Sequence, residues 1–263
     1  MIIKVVSLKQ AIDRRKYIFK KFSNLRLIYD FVDAIEPSTC SEEILSNFNS
    51  SQFKNLYGRS PTLAEIGASL SHHLARKKFL EESDQKTLLV LEDDAKIMCT
   101  KDELFSIVKV FEQSKFDILI LGFSKCDDEF EKHINTINPI LPMYKAMRKI
   151  SIGPRYLHTT SGTVGYLVNR RSSKKMSNIS KISVLSDDWG YFSKLDLKIA
   201  YTNPMIIREN FTELSSQANH NNFSQVPFKD SRNWISLLVF LRKHFYGLYR
   251  KILLYFIFIL YKK

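Results

Sequence analysis

Two groups of acids have the residue types and placement to do chemistry together. The first, Glu92-Asp93-Asp94, closes the run Thr87-Leu-Leu-Val-Leu91 of apolar and β-branched residues. Such a run is the signature of a strand buried on both faces in a parallel sheet. Ligands in open α/β sheets collect beyond the carboxyl ends of strands, which puts these carboxylates at the mouth of a cleft. Adjacent acids repel one another. A cation such as Mg²⁺ or Mn²⁺, bridging one or two carboxylates to substrate phosphates, relieves that repulsion. A solvated acidic turn reads the same in isolation. The second group, Asp187-Asp188 before Trp189, lies where Ser186 or Asp187 can cap a helix over residues 188–195. Alone it is an N-cap. Together the two groups supply a metal-holding set and a proton acceptor, as metal-assisted transfer to a hydroxyl requires.

Positioning those acids takes alternating strands and helices. Ile2 to Leu8 reads as a strand, Asp13 as the N-cap of a helix carrying Arg14 and Arg15, and Leu27 to Ile35 as a second strand. This is a βαβ unit suited to a nucleotide, with Arg14 and Arg15 facing either a diphosphate or solvent. No Gly-rich phosphate loop occurs, which argues against a Rossmann dehydrogenase and a P-loop enzyme. Residues 37–60 are polar and irregular, a surface excursion that would shape a cleft. Thr62 and Glu65 form a capping box for a helix with Leu63, Ile66, Leu70 and Leu74 on one face. Gly67 costs that helix about 1 kcal/mol relative to Ala, which implies close approach by another backbone or a ligand. Ser71, His72 and His73 follow as core residues or ligands. Further on come a helix over Lys101–Gln113, a strand over Phe116–Phe123, an aperiodic mobile insertion over 124–158, and a strand over Thr163–Val168. Asn169 caps the next helix, and Gly162 and Gly165 leave room near Tyr166 for close approach to the backbone.

Composition bounds the class. The chain has 263 residues, 44% hydrophobic content and a net charge of +13, with pI near 9.5. That is enough for one α/β domain plus an extra element, and the charge points to an anionic partner. Cys40, Cys99 and Cys126 are far apart and odd in number, so free thiols in a reducing compartment are expected. The N-terminus runs directly into a strand without a secretory signal pattern, so a cytoplasmic location is expected.

The series Ile3-Lys-Val-Val-Ser-Leu8 with Arg14-Arg15, Phe31-Val-Asp-Ala-Ile35, Thr62-Leu-Ala-Glu-Ile-Gly-Ala-Ser-Leu-Ser-His72, Leu89-Val-Leu-Glu-Asp-Asp-Ala95, Gly162-Thr-Val-Gly-Tyr166 and Asp188-Trp189 resembles glycosyltransferase family 25. These are bacterial lipooligosaccharide (LPS) sugar transferases with collagen galactosyltransferase relatives. The resemblance covers roughly residues 1–215 and implies a GT-A type α/β fold: a Rossmann-like, mostly parallel sheet with flanking helices. It further implies an inverting hexosyltransferase using a UDP-sugar, most often UDP-galactose. Glu92 and Asp94 then correspond to holders of Mn²⁺ or Mg²⁺ and Asp93 to a donor contact, with Ser7, Leu8 and Arg14 on the uridine-diphosphate side. Asp188 corresponds to the general base, with Asp187 as its competitor. His220 is a further candidate metal ligand.

Residues 226–263 carry eight Lys and Arg against one acid, Asp230, a net +7 and over half of the total charge. Trp234, Leu238, Leu241, Phe245, Leu248, Ile252, Phe256 and Ile259 share one side of a helix, with Lys243 and Arg250 opposite. The division is therefore a catalytic domain over 1–225 and a basic amphipathic tail over 226–263. The run Ile252–Leu260 is shorter than the roughly 18 to 20 residues that cross a bilayer. It suits the inner face of the cytoplasmic membrane, where a lipid-linked acceptor resides, and packing on the domain is the competing reading. Two other functions fit the acids or the charge: a metal-dependent phosphoryl or nucleotidyl transferase, and a non-enzymatic nucleic-acid-binding protein. Nucleic-acid binding calls for basic and aromatic residues interleaved on one surface rather than gathered in a tail, so no nucleic acid is expected.

Overall fold

In the computed structural model, which describes residues 1–147, 149–158, 162–178, 181–210 and 244–256, the acid-bearing strand lies inside an eight-stranded sheet. The chain runs β1 (Ile2–Ser7), α1 (Ile12–Leu25), β2 (Asp30–Asp33), α2 (Glu42–Leu45), α3 (Ser50–Tyr57), α4 (Leu63–Glu82), β3 (Thr87–Glu92) and β4 (Ala95–Ile97). It continues through α5 (Lys101–Gln113), β5 (Ile118–Gly122), α6 (Asp128–Ile137), β6 (Tyr144–Met147), β7 (Ile150–Gly153), β8 (Gly165–Asn169) and α7 (Arg170–Ser177). Then come α8 (Trp189–Lys194), β9 (Ile199–Asn203), β10 (Ile207–Glu209) and a helix over residues 244–256.

The sheet order is β2-β1-β3-β8-β5-β9-β7-β6, and β10 pairs with β4 in a separate two-stranded ribbon. Six of the eight strands point one way, while β8 and β7 are reversed. The expected α/β sheet with flanking helices is present, although four of its seven neighbouring strand pairs are antiparallel. The apolar run in β3 reports burial on both faces and not neighbour direction, because β3 pairs parallel with β1 and antiparallel with β8.

Alternation along β3 decides where the acids go. Leu89 and Leu91 join the core under α1 and α5 with Ile18, Phe22 and Ile107, while Leu88 and Val90 join the opposite core with Phe79 of α4 and Trp189 of α8. Side chains change face at every residue, so Glu92 continues toward α4 and Asp93 toward α1.

Local chemistry explains α4. Thr62 and Glu65 form both bonds of the capping box, and a Cβ on Gly67 would lie 2.8 Å from Ile35 O. Ser71 Oγ accepts the Ile35 amide at 2.8 Å, which ties the same helix to the exit of β2. The interior glycine is thus seated against backbone, as its sequence position implied.

Several expectations are corrected. Asp13 lies in the first turn of α1, whose N-cap is Ala11 with no side-chain cap bond. The second strand covers only Asp30–Asp33, because the chain leaves α1 through a left-handed Arg26. Residues 37–60 hold α2 and α3, capped by Ser41 and Asn49; within the two helices only Phe53 is buried, so no apolar period betrays them. Residues 124–158 hold α6, β6 and β7; in α6 the buried residues include Glu131, which hides the pattern. The helix after the second acid pair is capped by Asp188 itself. Cys40, Cys99 and Cys126 are free thiols, as expected. Burial pushes Cys99 and Cys126 up to about 12, which suits packing rather than nucleophilic work.

Candidate active site

The sheet alternation splits the first acidic group into two networks. On the α1 side, Asp93 Oδ2 accepts the Ser7 hydroxyl at 2.8 Å and Oδ1 accepts Arg14 Nη1 at 2.8 Å. The same Arg14 nitrogen reaches Asp94 Oδ2 at 3.2 Å. Arg15 fastens the strand ends beneath them, donating to Ser7 O at 3.0 Å, Leu8 O at 3.2 Å and Asp33 Oδ1 at 2.5 Å, with its guanidinium 4.7 Å from the Phe31 ring centroid. Ser7, Arg14 and Asp93 therefore form one hydrogen-bonded set, to which Leu8 adds its carbonyl. Arg15 is a clasp between β1 and β2.

On the α4 side, Glu92 Oε1 accepts the Thr163 hydroxyl and lies 3.6 Å from His72 Nε2. Tyr166 stands behind this histidine, its hydroxyl 3.1 Å from both His72 Nδ1 and Arg76 Nη1. Arg76 donates to the phenol oxygen, and with Nδ1 facing the phenol the histidine turns its other ring nitrogen, Nε2, toward Glu92. Burial would raise Glu92, but His72 and Thr163 outweigh it and hold the carboxyl below its usual range.

Asp94 has the opposite balance. Burial, with Glu92, Glu209 and Asp93 nearby, pushes its carboxyl up to about 7 against the pull of Arg14. Among the described residues its Oδ1 is buried without a hydrogen-bond partner, and its backbone oxygen accepts Asn210 N at 2.9 Å. Glu209 arrives through the antiparallel pairing of β10 with β4, opposite Ala95. The sequence offered no sign of Glu209 or Asn210, since β10 is three residues long and its pairing is long-range.

The second acidic group meets the first through consecutive residues: Thr163 holds Glu92, and the Gly162 amide donates to Asp187 Oδ2 at 2.6 Å. Gly162 has φ +107, open to glycine alone without strain, and a Cβ there would strike Ser124. Burial raises Asp187, the nearby Glu92 charge adds to the rise, and the backbone bonds and His72 oppose it. Asp188 faces elsewhere. Its Oδ1 caps α8 by accepting Tyr191 N at 2.8 Å, and its Oδ2 accepts the Tyr57 hydroxyl at 2.7 Å. Tyr57 in turn accepts Leu185 N at 3.2 Å, and its phenol is raised by burial and by Asp188. Tyr57 carried no sequence signal because its region looked irregular.

Beside the ends of β1 and β2 lies a cavity of about 530 Å³ whose walls include Lys9, Gln10, Asp33, His73, Lys77 and Lys181. Asp33 links it to the acids through Arg15 and Ser7.

Among the described residues no group of three or more His, Cys, Asp or Glu is arranged to hold a metal ion, and His220 lies outside them. The partnerless, buried Asp94 Oδ1 and the surplus of negative charge around it among the described residues fit a cation.

Residues 1–189 match the sequence profile of glycosyltransferase family 25 (LPS biosynthesis protein), and the chain belongs to that family. It is 28% identical over 181 residues to the lipooligosaccharide biosynthesis protein lic2B of Haemophilus influenzae, the match covering 66% of this chain and 61% of the relative. It is 23% identical over 184 residues to a glycosyltransferase 25 family member of Aedes aegypti, covering 66% of this chain and 27% of that protein. The chain thus spans less than two thirds of these relatives. Among solved structures it is similar to A197 from STIV, with TM-score 0.40, 13% identity and coverage of 76% of this chain and 81% of that one. It is also similar to a glycosyltransferase involved in glycosylation of the major capsid of PBCV-1, with TM-score 0.32, 11% identity and coverage of 68% and 65%.

Proposed function

We propose that this chain is an inverting, metal-dependent glycosyltransferase that moves a hexose, galactose from UDP-galactose in the first instance, onto a hydroxyl of a lipid-linked lipooligosaccharide core. It would act at the inner face of the cytoplasmic membrane. The observation that carries the reading is the convergence of the two acid groups on Gly162 and Thr163. Family membership supports the reaction class.

Ser7, Arg14, Asp93 and the neighbouring cavity receive the donor, with the guanidinium of Arg14 exchanging carboxylates for diphosphate oxygens. Asp94, whose Oδ1 has no hydrogen-bond partner among the described residues, would hold Mn²⁺ or Mg²⁺, and such an ion, when bound, offsets charge growing on the departing UDP. The acceptor oxygen attacks the anomeric carbon from the face opposite the diphosphate. That bond forms as the bond from carbon to phosphate oxygen breaks, and the leaving UDP takes the electron pair. The acceptor proton passes to Asp187, whose burial beside Glu92 raises its affinity for it. The sequence resemblance favours Asp188 for this step. We assign Asp188 instead to positioning, because both its oxygens already hold protein donors.

The test is UDP release from several UDP-hexoses, with and without Mn²⁺, by the wild type and by Asp187→Asn and Asp188→Asn. Metal-dependent UDP release abolished in Asp187→Asn with donor affinity retained is the expected result. Abolition by Asp188→Asn alone moves the base role to Asp188. No UDP release with any donor, or release of pyrophosphate instead, ends the reading in favour of a nucleotidyl transferase. Strongly salt-dependent DNA binding without turnover would favour the nucleic-acid alternative.

A further inference from the structure

The helix over residues 244–256 is apolar on two sides. One side is docked. A Cβ on Gly247 would lie 2.1 Å from Thr136 O, Arg250 Nη1 donates to Ile137 O at 2.5 Å, and Leu254 is 6% exposed. Arg250, read from sequence as part of a solvated basic face, instead caps the carboxyl end of α6. The other side is bare. Phe245, Leu248, Tyr249, Ile252, Tyr255 and Phe256 recur at helical spacing and are 46% to 68% exposed. A contiguous apolar stripe of this kind marks a contact surface.

What covers it follows from charge and residue type. Residues 226–263 carry a net +7 and the chain +13, so two copies brought together along this helix would repel each other, whereas an anionic surface attracts both. Phenylalanine and tyrosine side by side suit the boundary between lipid headgroups and acyl chains. No helix among the described residues is long and apolar enough to cross a membrane, so this helix is fitted to lie along the surface.

The docked side gives the surface a fixed relation to the cleft. Glu131 of α6 accepts Met205 N at 2.8 Å and Arg208 Nη2 at 2.6 Å. Arg208 belongs to β10, which delivers Glu209 and then Asn210 to Asp94.

We propose that the stripe from Phe245 to Phe256 docks on an anionic lipid surface, and that its seating on α6 sets the angle at which the cleft meets a lipid-borne acceptor. The orientation half of this inference rests on the acceptor proposed above; the docking half does not.

The experiment uses the full chain and vesicles of phosphatidylcholine alone or mixed with phosphatidylglycerol. Wild type should sediment with the mixed vesicles and not the neutral ones, less so as salt is raised. Phe245→Ser/Leu248→Ser/Ile252→Ser should weaken that binding at least about tenfold through lost apolar burial, with an unchanged melting temperature. Gly247→Val should keep vesicle binding but lower transfer to a vesicle-borne acceptor relative to a soluble one. Triple-variant binding equal to wild type overturns the docking half, as does a wild-type dimer that the triple variant dissociates. Equal loss by Gly247→Val on both acceptors overturns the orientation half. Vesicle binding is read without turnover, so an absence of sugar transfer would sink the proposed reaction and leave the docking surface standing.

Discussion

The Tyr57 hydroxyl donates to Asp188 Oδ2 at 2.7 Å while accepting the Leu185 amide at 3.2 Å, joining α3 to the segment that carries the second acid pair. The backbone repeats the link: Asn49 N donates to Ile182 O at 2.7 Å and Ile182 N to Asn47 O at 2.8 Å. Tyr57→Phe removes a donor from a carboxylate and an acceptor from an amide. We expect a loss of about 1–3 kcal/mol in urea unfolding, with sugar transfer falling more than donor hydrolysis. Unchanged stability and transfer would show that α3 does not brace the acids.

Arg14 is the cation between Asp93 and Asp94. Arg14→Gln leaves those carboxylates less compensated and should destabilise the metal-free protein by about 1–3 kcal/mol. Mn²⁺ should then raise the melting temperature of the variant more than that of the wild type. UDP affinity, measured calorimetrically, should fall at least about tenfold because a charged phosphate donor is gone. Retained UDP affinity would remove Arg14 from the donor site.

Acid stability should depend on half-buried histidines. Burial lowers His158, 2.8 Å from Tyr201 Oη, from 6.5 to about 4, and lowers His73 likewise to about 4. Between those values the unfolded chain takes up a proton that the folded chain refuses. Stability is therefore full above the unfolded value and drains away as pH falls toward the folded one, with a slope of at most about 1.4 kcal/mol per pH unit for each group. His158→Gln should flatten the acid limb of a plot of melting temperature against pH. An unaltered limb would assign it to other groups.

Gly67→Ala sets two effects against each other. Helix propensity favours alanine by about 1 kcal/mol, but the new methyl would sit 2.8 Å from Ile35 O and 3.0 Å from Pro37 Cδ. Overpacking against backbone costs typically about 1–3 kcal/mol, so a lower melting temperature is expected. A higher one would mean that the β2 exit yields.

What could be read in the chain was what local chemistry dictates. The Thr62 and Glu65 capping box, the Asn169 cap, the helix over Lys101–Gln113 and the crowding at Gly67 all follow from neighbours in sequence. The acid clusters were visible for the same reason, being contiguous. Long-range pairing stayed hidden: the reversed β8 between β3 and β5, the placement of Glu209 by β10, and the Tyr57 bond all join distant segments. Alternation separates Glu92 from Asp93, but only the fold decides that α4 covers one face and α1 the other. The choice between Asp187 and Asp188 was likewise closed to a sequence reading, since it depends on which acid caps α8 and which meets Gly162.

Gly122 and Gly165 share a function in the finished molecule. A Cβ on the first would lie 2.0 Å from Ile207 O and one on the second 2.6 Å from Ile207 Cδ1, so β10 is seated in a notch made by two missing side chains. Asn210 is accordingly held on an anchored post beside Asp94. The three-residue β10 thereby works as a fixed bracket: a side chain that fills either notch would push Glu209 and Asn210 away from Asp94.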